Sequence, residues 1–346
     1  MLDRNGFAPE DFRFRGLHPG LSVGTASDRY AGWLGQIYSR DRYAGRIPSR
    51  QNKVGGRTFT ERVLPIDSVR EYFEHFEVLE IDFTFYRLLL DEDGNPTQNH
   101  HLLARYRELL GESDFLILKV PQVVFARKLQ RPGGFLQNPD YLNGEVFTRR
   151  FYLPAVELLG RRIRAFVFEQ EYQRRQDRSP PEKMAEDVDR FFSSIPQDDR
   201  YHVEVRTESM LTPSLLAAMQ RHGVGQVLSH WTWLPSLREQ FAMSGNAFTS
   251  AAGQAVVRLL TPRGMRYEEA YAKAHPFDRI VEGMATPGMV EDTVDLMGQA
   301  IERKARLNVI VNNRAGGNAP LLAREIVNRF AAREQTHKPG TSPSRR

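Results

Sequence analysis

Charged residues stand in several short runs of this chain where buried strands would carry apolar ones. Glu80 and Asp82 alternate with Leu79, Ile81 and Phe83, and His202, Glu204 and Arg206 alternate with Val203 and Val205. Lys119 closes a third run, Glu169 a fourth, and Arg258 sits inside another. Side chains of a strand point to opposite faces in turn, so each run has one apolar and one polar face. If the apolar faces meet covering helices, the polar faces converge on a shared interior. An unpaired charge there costs several kcal/mol, so these groups must pair with one another or face water and ligand. Glu80, Asp82 and Glu204 nearly balance Lys119, Arg206 and Arg258. Glu80, Lys119 and Glu204 are therefore the candidate catalytic residues. Lys119 would hold an anionic group together with Arg206 and Arg258, and Glu80 or Glu204 would transfer a proton. A structural ion-pair network without chemistry is the competing account, because internal networks also perturb pKa values.

Other segments carry weaker signals. Asn312-Asn313-Arg314-Ala315-Gly316-Gly317-Asn318-Ala319-Pro320 precedes a helical pattern over 321–330. Asn318 suits an N-cap and Pro320 the first turn. Exposed N–H groups at such a helix start can hold phosphate, which makes Asn312, Asn313, Gly316 and Gly317 candidate substrate-binding residues, although Gly-Gly is also simply a turn. Trp231 and Trp233 flank the end of another run and could stack on a sugar or base, or just pack a loop on a rim. The nine His show no ligand spacing for zinc, and no metal site is predicted. Oxygen ligation of Mg²⁺ or Mn²⁺ by Glu80, Asp82 and Glu204 stays open. A retaining glycosidase would need a carboxylate at the end of the seventh run, where Leu259-Leu260-Thr261 offers none.

The elements that must position these groups follow from periodicity. Strand-like runs occur at 21–25, 77–83, 114–120, 164–169, 201–206, 225–229, 255–260 and 307–312. Helical patterns separate most of them, at 66–76, 97–110, 152–159, 181–193, 213–222 and 289–304. Alternating strand and helix requires a parallel sheet covered by helices, and eight repeats favour closure into a TIM-like (β/α)8 barrel of the α/β class. Gly24-Thr25-Ala26-Ser27-Asp28 does not complete the Gly-rich fingerprint of an open dinucleotide-binding sheet. The expected organisation is an N-terminal extension over 1–20, the barrel over 21–332 and a disordered basic tail over 333–346. Two long connections, near 33–60 and 121–151, should be loops at the mouth.

Composition sets the outer bounds. The 346 residues are 40% hydrophobic and 26% charged, enough apolar material for a sizeable core. There is no Cys, which excludes disulfides, thiolate metal sites and a cysteine nucleophile, and suits a reducing compartment. No run is long and apolar enough for a membrane span, so a cytoplasmic protein without membrane contact is expected. A net charge of +5 permits nucleic acid as a partner but does not show a clustered basic patch.

Val23-Gly24-Thr25-Ala26 with Gly32-Trp33, and then Glu80-Ile81-Asp82-Phe83-Thr84-Phe85-Tyr86-Arg87, resemble motifs of the YecE-like family, domain of unknown function 72 (DUF72). Leu118-Lys119-Val120-Pro121, Val203-Glu204-Val205-Arg206, Val257-Arg258-Leu259 and Asn312-Asn313 follow in the family's order. The resemblance implies a TIM-like barrel, with Glu80, Lys119, Glu204, Arg206, Arg258 and Asn313 on motif positions, and supplies no established activity. Thr25, Asp82 and Tyr86, from the same motifs, join the candidate substrate-binding residues. Departures include Ala26-Ser27-Asp28 for a Ser-Gly-Trp-type motif, Glu169-Gln170-Glu171-Tyr172 for a Gln-Leu-Pro-Pro-like one, and Arg258-Leu259-Leu260-Thr261, which lacks the family's His. The expectation is an enzyme using acid/base chemistry on a small anionic, possibly phosphorylated, substrate, of lyase, isomerase or hydrolase class. A nucleic-acid-binding or phosphodiester-processing barrel and a binding module without turnover are the alternatives. Cofactor and oligomeric state are left undetermined.

Overall fold

The structure, a computed structural model, describes residues 12–131 and 134–337. Eight strands form one closed parallel barrel: β1 Leu21–Ala26, β2 Val78–Ile81, β3 Phe115–Lys119, β4 Ile163–Glu169, β5 Tyr201–Glu204, β6 Gly225–His230, β7 Gln254–Leu259 and β8 Arg306–Val311. Each strand pairs with its neighbours in sequence, and β8 closes on β1 through Leu21 beside Leu307 and Thr25 beside Val311. Every expected run became a strand, with no end moved by more than two residues. A helix follows each strand, in order Val69–His75, Gln98–Leu109, Leu153–Leu159, Pro181–Ser194, Pro213–Arg221, Leu237–Met243, Pro287–Glu302 and Ala319–His337. The sixth was not among the helical patterns read from the sequence, although Ser236 and Glu239 form a reciprocal capping box at its start.

Period-two alternation sorts the side chains into two cores. Outward-facing Leu79, Leu118, Phe166, Val203, Val257 and their like pack beneath the helices. Inside the barrel a small apolar layer gathers Val78, Ile117, Val167, Val227, Val256 and Ile310. Two positions further along the same strands the interior turns polar, which puts the charged tier at the C-terminal ends, where barrels of this kind carry their sites.

The long connection after β1 is more than a loop. Ser49–Val54 and Arg57–Arg62 pair as an antiparallel hairpin whose turn residues Gly55 and Gly56 have φ of +56° and +80°. Phe59 packs on Tyr271 and His275, which clasps the hairpin to helix Tyr267–Ala274. The connection after β3 also folds a hairpin, Lys128–Arg131 with Gly134–Gln137. The last helix runs to His337, so the first residues expected in the tail are helical, and 338–346 lie outside the described residues, as do 1–11 of the expected extension. Among the described residues no helix is long and apolar enough to cross a membrane.

Closure brings β1 against β2 at Gly24, where an added Cβ would run into the Val78 backbone carbonyl. Backbone cannot swing aside as a side-chain tip can. Gly24→Ala should lower stability by about 1–3 kcal/mol, read as a lower urea midpoint with an unchanged slope.

Candidate active site at the barrel mouth

Strand register carries the polar faces to one level. Ala26 lies beside Glu80, Glu169 beside Glu204, and Ser229 beside Arg258. The pairing of Glu169 with Glu204 sets two carboxylates side by side, an arrangement that repels unless cations bridge it. Arg206 does so, with Nη2 at 2.9 Å from Glu169 and 3.1 Å from Glu204. Arg258 does so more deeply. Its Nη2 donates to Glu80 Oε1 at 2.7 Å, and its Nη1 contacts Glu169 at 3.1 Å and Glu204 more closely still. The other oxygen of Glu204 accepts from the Ser229 hydroxyl.

Two tiers result. Glu80, Glu204 and Arg258 are at most 2% exposed, whereas the side chains of Lys119, Arg206 and Glu169 keep 9–14%. Lys119 Nζ lies 2.7 Å from Glu169, 3.7 Å from Asp82 and 4.0 Å from the centre of the Phe85 ring. The Arg206 guanidinium lies 4.8 Å from the centre of the Trp231 ring. Four carboxylates, Glu80, Asp82, Glu169 and Glu204, thus surround three cations, and Arg314 adds a fourth from the cavity wall.

The pKa shifts separate two of these carboxylates, Glu80 and Glu169. Burial pushes Glu80 up to about 7 against the pull of Arg258, and Glu80 Oε2 is buried with no hydrogen-bond partner. Burial also pushes Glu169 up, but Arg206, Lys119 and Arg258 together reverse this and hold it well below the ordinary carboxylate range. For Lys119, burial disfavours the charge while Glu169 and Asp82 outweigh it, so the ammonium persists. Arg258 is likewise kept charged against burial by Glu204 and Glu80.

Above the charges lies a cavity of about 510 Å³. Among the expected site residues Glu80, Asp82, Tyr86, Lys119, Arg206, Arg258 and Asn312 line it, and Glu204 lies sealed just beneath. Tyr86 stands at the rim, 71% exposed. The first long connection contributes Arg50, Asn52 and Glu61 to the lining. The second, expected at the mouth as well, contributes none of the described lining residues.

Four expected residues lie elsewhere. Thr25 faces the helices, and its hydroxyl is bonded to Tyr72 and to the Ser27 carbonyl. Asn313 accepts from the Trp33 indole at 3.0 Å and from the Ala319 N–H at 2.8 Å. Gly317, at φ +102°, is wedged against Arg279 and Val281, and the Gly316 carbonyl accepts from the Val281 N–H. The phosphate cradle expected here is corrected accordingly: the Ala319 N–H bonds Asn313 and the Leu321 N–H bonds the N-cap Asn318, so both donors are already used.

Residues passed over in the sequence proved central. Glu169, seen as a strand end but left out of the charge balance, bridges all three cations. Arg314 lines the cavity with its guanidinium 4.4 Å from the Tyr267 ring centre, and its Nε is buried without a hydrogen-bond partner. Its signal was position, one residue past Asn312-Asn313 at the end of β8. Among the described residues no group of three or more His, Asp or Glu is arranged to hold a metal ion. Arg258 stands between Glu80 and Glu204, where oxygen ligation by that pair would need a cation.

Fold and site together define a (β/α)8 barrel with a charged, partly closed mouth at the C-terminal ends of its strands. The chain belongs to the family described as "Protein of unknown function DUF72", whose sequence model matches residues 49–346. The crystal structure of a DUF72 family protein from Thermotoga maritima is similar, with a TM-score of 0.53 and 16% identity, covering 91% of this chain and 99% of that one. A DUF72 family protein from Enterococcus faecalis gives a TM-score of 0.50 at 13% identity, covering 90% and 98%. No curated protein matches the sequence.

Arg258→Met would leave Glu80 and Glu204 buried without their shared counter-charge, and should cost about 3–5 kcal/mol of stability in chemical denaturation. The raised pKa of Glu80 has its own signature. A carboxyl whose folded pKa exceeds its unfolded value contributes stability below the unfolded pKa and loses it as pH rises through the folded one. Relative to Glu80→Gln, the wild type should therefore lose stability between pH 4.5 and about 7, in urea unfolding followed across that range. A flat difference would place the proton on another group.

Proposed function

We propose that the protein is an enzyme that moves a proton on a small anionic substrate bound at the barrel mouth. The observation that carries this is Glu80: a carboxyl at the cavity floor, raised to about 7, with one oxygen fixed by Arg258 and the other without a partner. A group with that pKa can give and take a proton near neutral pH, which lyase, isomerase and hydrolase steps all require. Lys119 and Arg206, in the outer tier, and Arg314 on the rim supply the positive charge for a phosphate or carboxylate. Glu204, whose oxygens are occupied by Ser229, Arg206 and Arg258, acts in this proposal as the anchor that orients the cations. Water-poor surroundings strengthen each of these interactions. The lack of Cys suits action in the cytoplasm.

Inorganic phosphate should raise the melting temperature of the wild type, as any ligand of the native state does. Lys119→Met and Arg314→Met should each weaken phosphate binding about tenfold or more in calorimetry, while Glu80→Gln should retain it. On a panel of small phosphorylated and carboxylated metabolites, Glu80→Gln should then lose about 100-fold or more in turnover. Full activity in Glu80→Gln would refute its role. Oligonucleotide binding that falls steeply with salt, with no response to phosphate, would replace this proposal with a nucleic-acid-binding one.

A further inference from the structure

Beside the mouth, on the far side of Trp231, Trp233 and Tyr172 stack with ring centres 5.9 Å apart and remain 40% and 39% exposed. Trp is on average a highly buried residue, and a loop-packing role would have covered both rings. Here instead an open cavity of about 750 Å³ lies over them. The segment carrying Trp233 is held firmly: the Thr232 hydroxyl donates to the Met265 carbonyl at 2.6 Å, and Leu234 is 3% exposed. The ledge is thus a pre-formed surface.

Its polar surround selects a ligand. Arg178, Arg263, Glu208 and Glu239 line the same cavity, two charges of each sign. A phosphate-rich chain would want cations alone, whereas a neutral polyhydroxylated ring wants donors and acceptors together around an aromatic face that accepts its C–H surface. Trp231 stands between the ledge and the charged floor, whose cavities share no described lining residue. Tyr172 lies 5.8 Å from Trp231, whose ring packs against the Arg206 guanidinium at 4.8 Å. A sugar seated on the ledge would meet Arg206 by extending its anionic substituent past Trp231.

We infer that the anionic substrate is a sugar bearing a phosphate or carboxylate, with the ring seated on Tyr172 and Trp233 and the anion directed to Lys119 and Arg206. This rests on the anion-binding role proposed for the mouth. The ledge governs affinity for the ring and leaves affinity for the bare anion unchanged.

The protein has three Trp, and Trp33 is fully buried with its indole N–H bonded to Asn313, so ligand-dependent fluorescence reports Trp231 and Trp233. The wild type is titrated with inorganic phosphate, glucose 6-phosphate, ribose 5-phosphate, glucuronate and uridine monophosphate, with calorimetry in parallel. At least one sugar anion should quench saturably and bind about tenfold or more tightly than phosphate. Trp233→Ala, an exposed position, should remove that gain and leave phosphate affinity as it was. Sugar anions no tighter than phosphate, or an unchanged gain in Trp233→Ala, would overturn the ledge while leaving the anion site standing. Tighter binding of uridine monophosphate than of any sugar anion would overturn it in favour of a base. Absence of phosphate binding, with a ring-dependent gain still present, would overturn the mouth's role instead.

Discussion

A guanidinium buried to 2% exposure at the centre of the barrel, that of Arg258, is the constraint on which the site depends. Such a charge survives burial only if anions surround it. Glu80 from β2, Glu169 from β4 and Glu204 from β5 do so, reaching across the barrel to β7. Three strands far apart in sequence are thereby tied to one side chain. The converse also holds, since Glu169 and Glu204 are register partners whose like charges repel unless a cation bridges them.

Beneath this tier lies a mostly apolar layer, with His202 buried below Glu204, and above it the cavity opens. The boundary falls within single strands: Val78 precedes Glu80, Val167 precedes Glu169, and Val256 precedes Arg258. The lower layer and the helix-facing core are held by apolar packing, and the upper ends by carboxylates bridged by cations. Glu80 has an environment unlike that of Glu169, although both touch Arg258. Glu169 has three cations around it, whereas Glu80 bonds one and lies deeper. Two carboxylates in one network are thus driven in opposite directions, the pattern by which acid and base roles are separated. The hairpin from the first long connection adds a roof, clasped to the helix Tyr267–Ala274.

Much of this was legible in the residue order. Alternation of Glu80, Asp82, Glu204 and Arg206 with apolar neighbours placed those four on inward faces, and the eight strand-like runs fell where the strands lie. The hairpin at Ser49–Val54 and Arg57–Arg62 was passed over because its strands are charged and exposed, leaving only Gly55-Gly56 as a turn signal. Helix Leu237–Met243 is short, and its capping box is a local signal that apolar periodicity does not register. Asn313, Gly316 and Gly317 were misplaced for another reason. Their partners, Trp33, Arg279 and Val281, come from distant segments whose approach no local pattern announces.

By itself the sequence determined the architecture and the membership of the charged tier, because period-two alternation and strand count are local properties that hold wherever a strand lies. Only the tertiary structure decided who bonds to whom. That Glu204 is saturated while Glu80 keeps a free oxygen, that Glu169 bridges all three cations, and that Trp233 stays open while Trp33 is sealed all depend on register, closure and loop packing. Those are sums over contacts between residues tens to hundreds of positions apart. A carboxylate's chemistry follows from its neighbours in space, and the order of residues along the chain names only its neighbours in sequence.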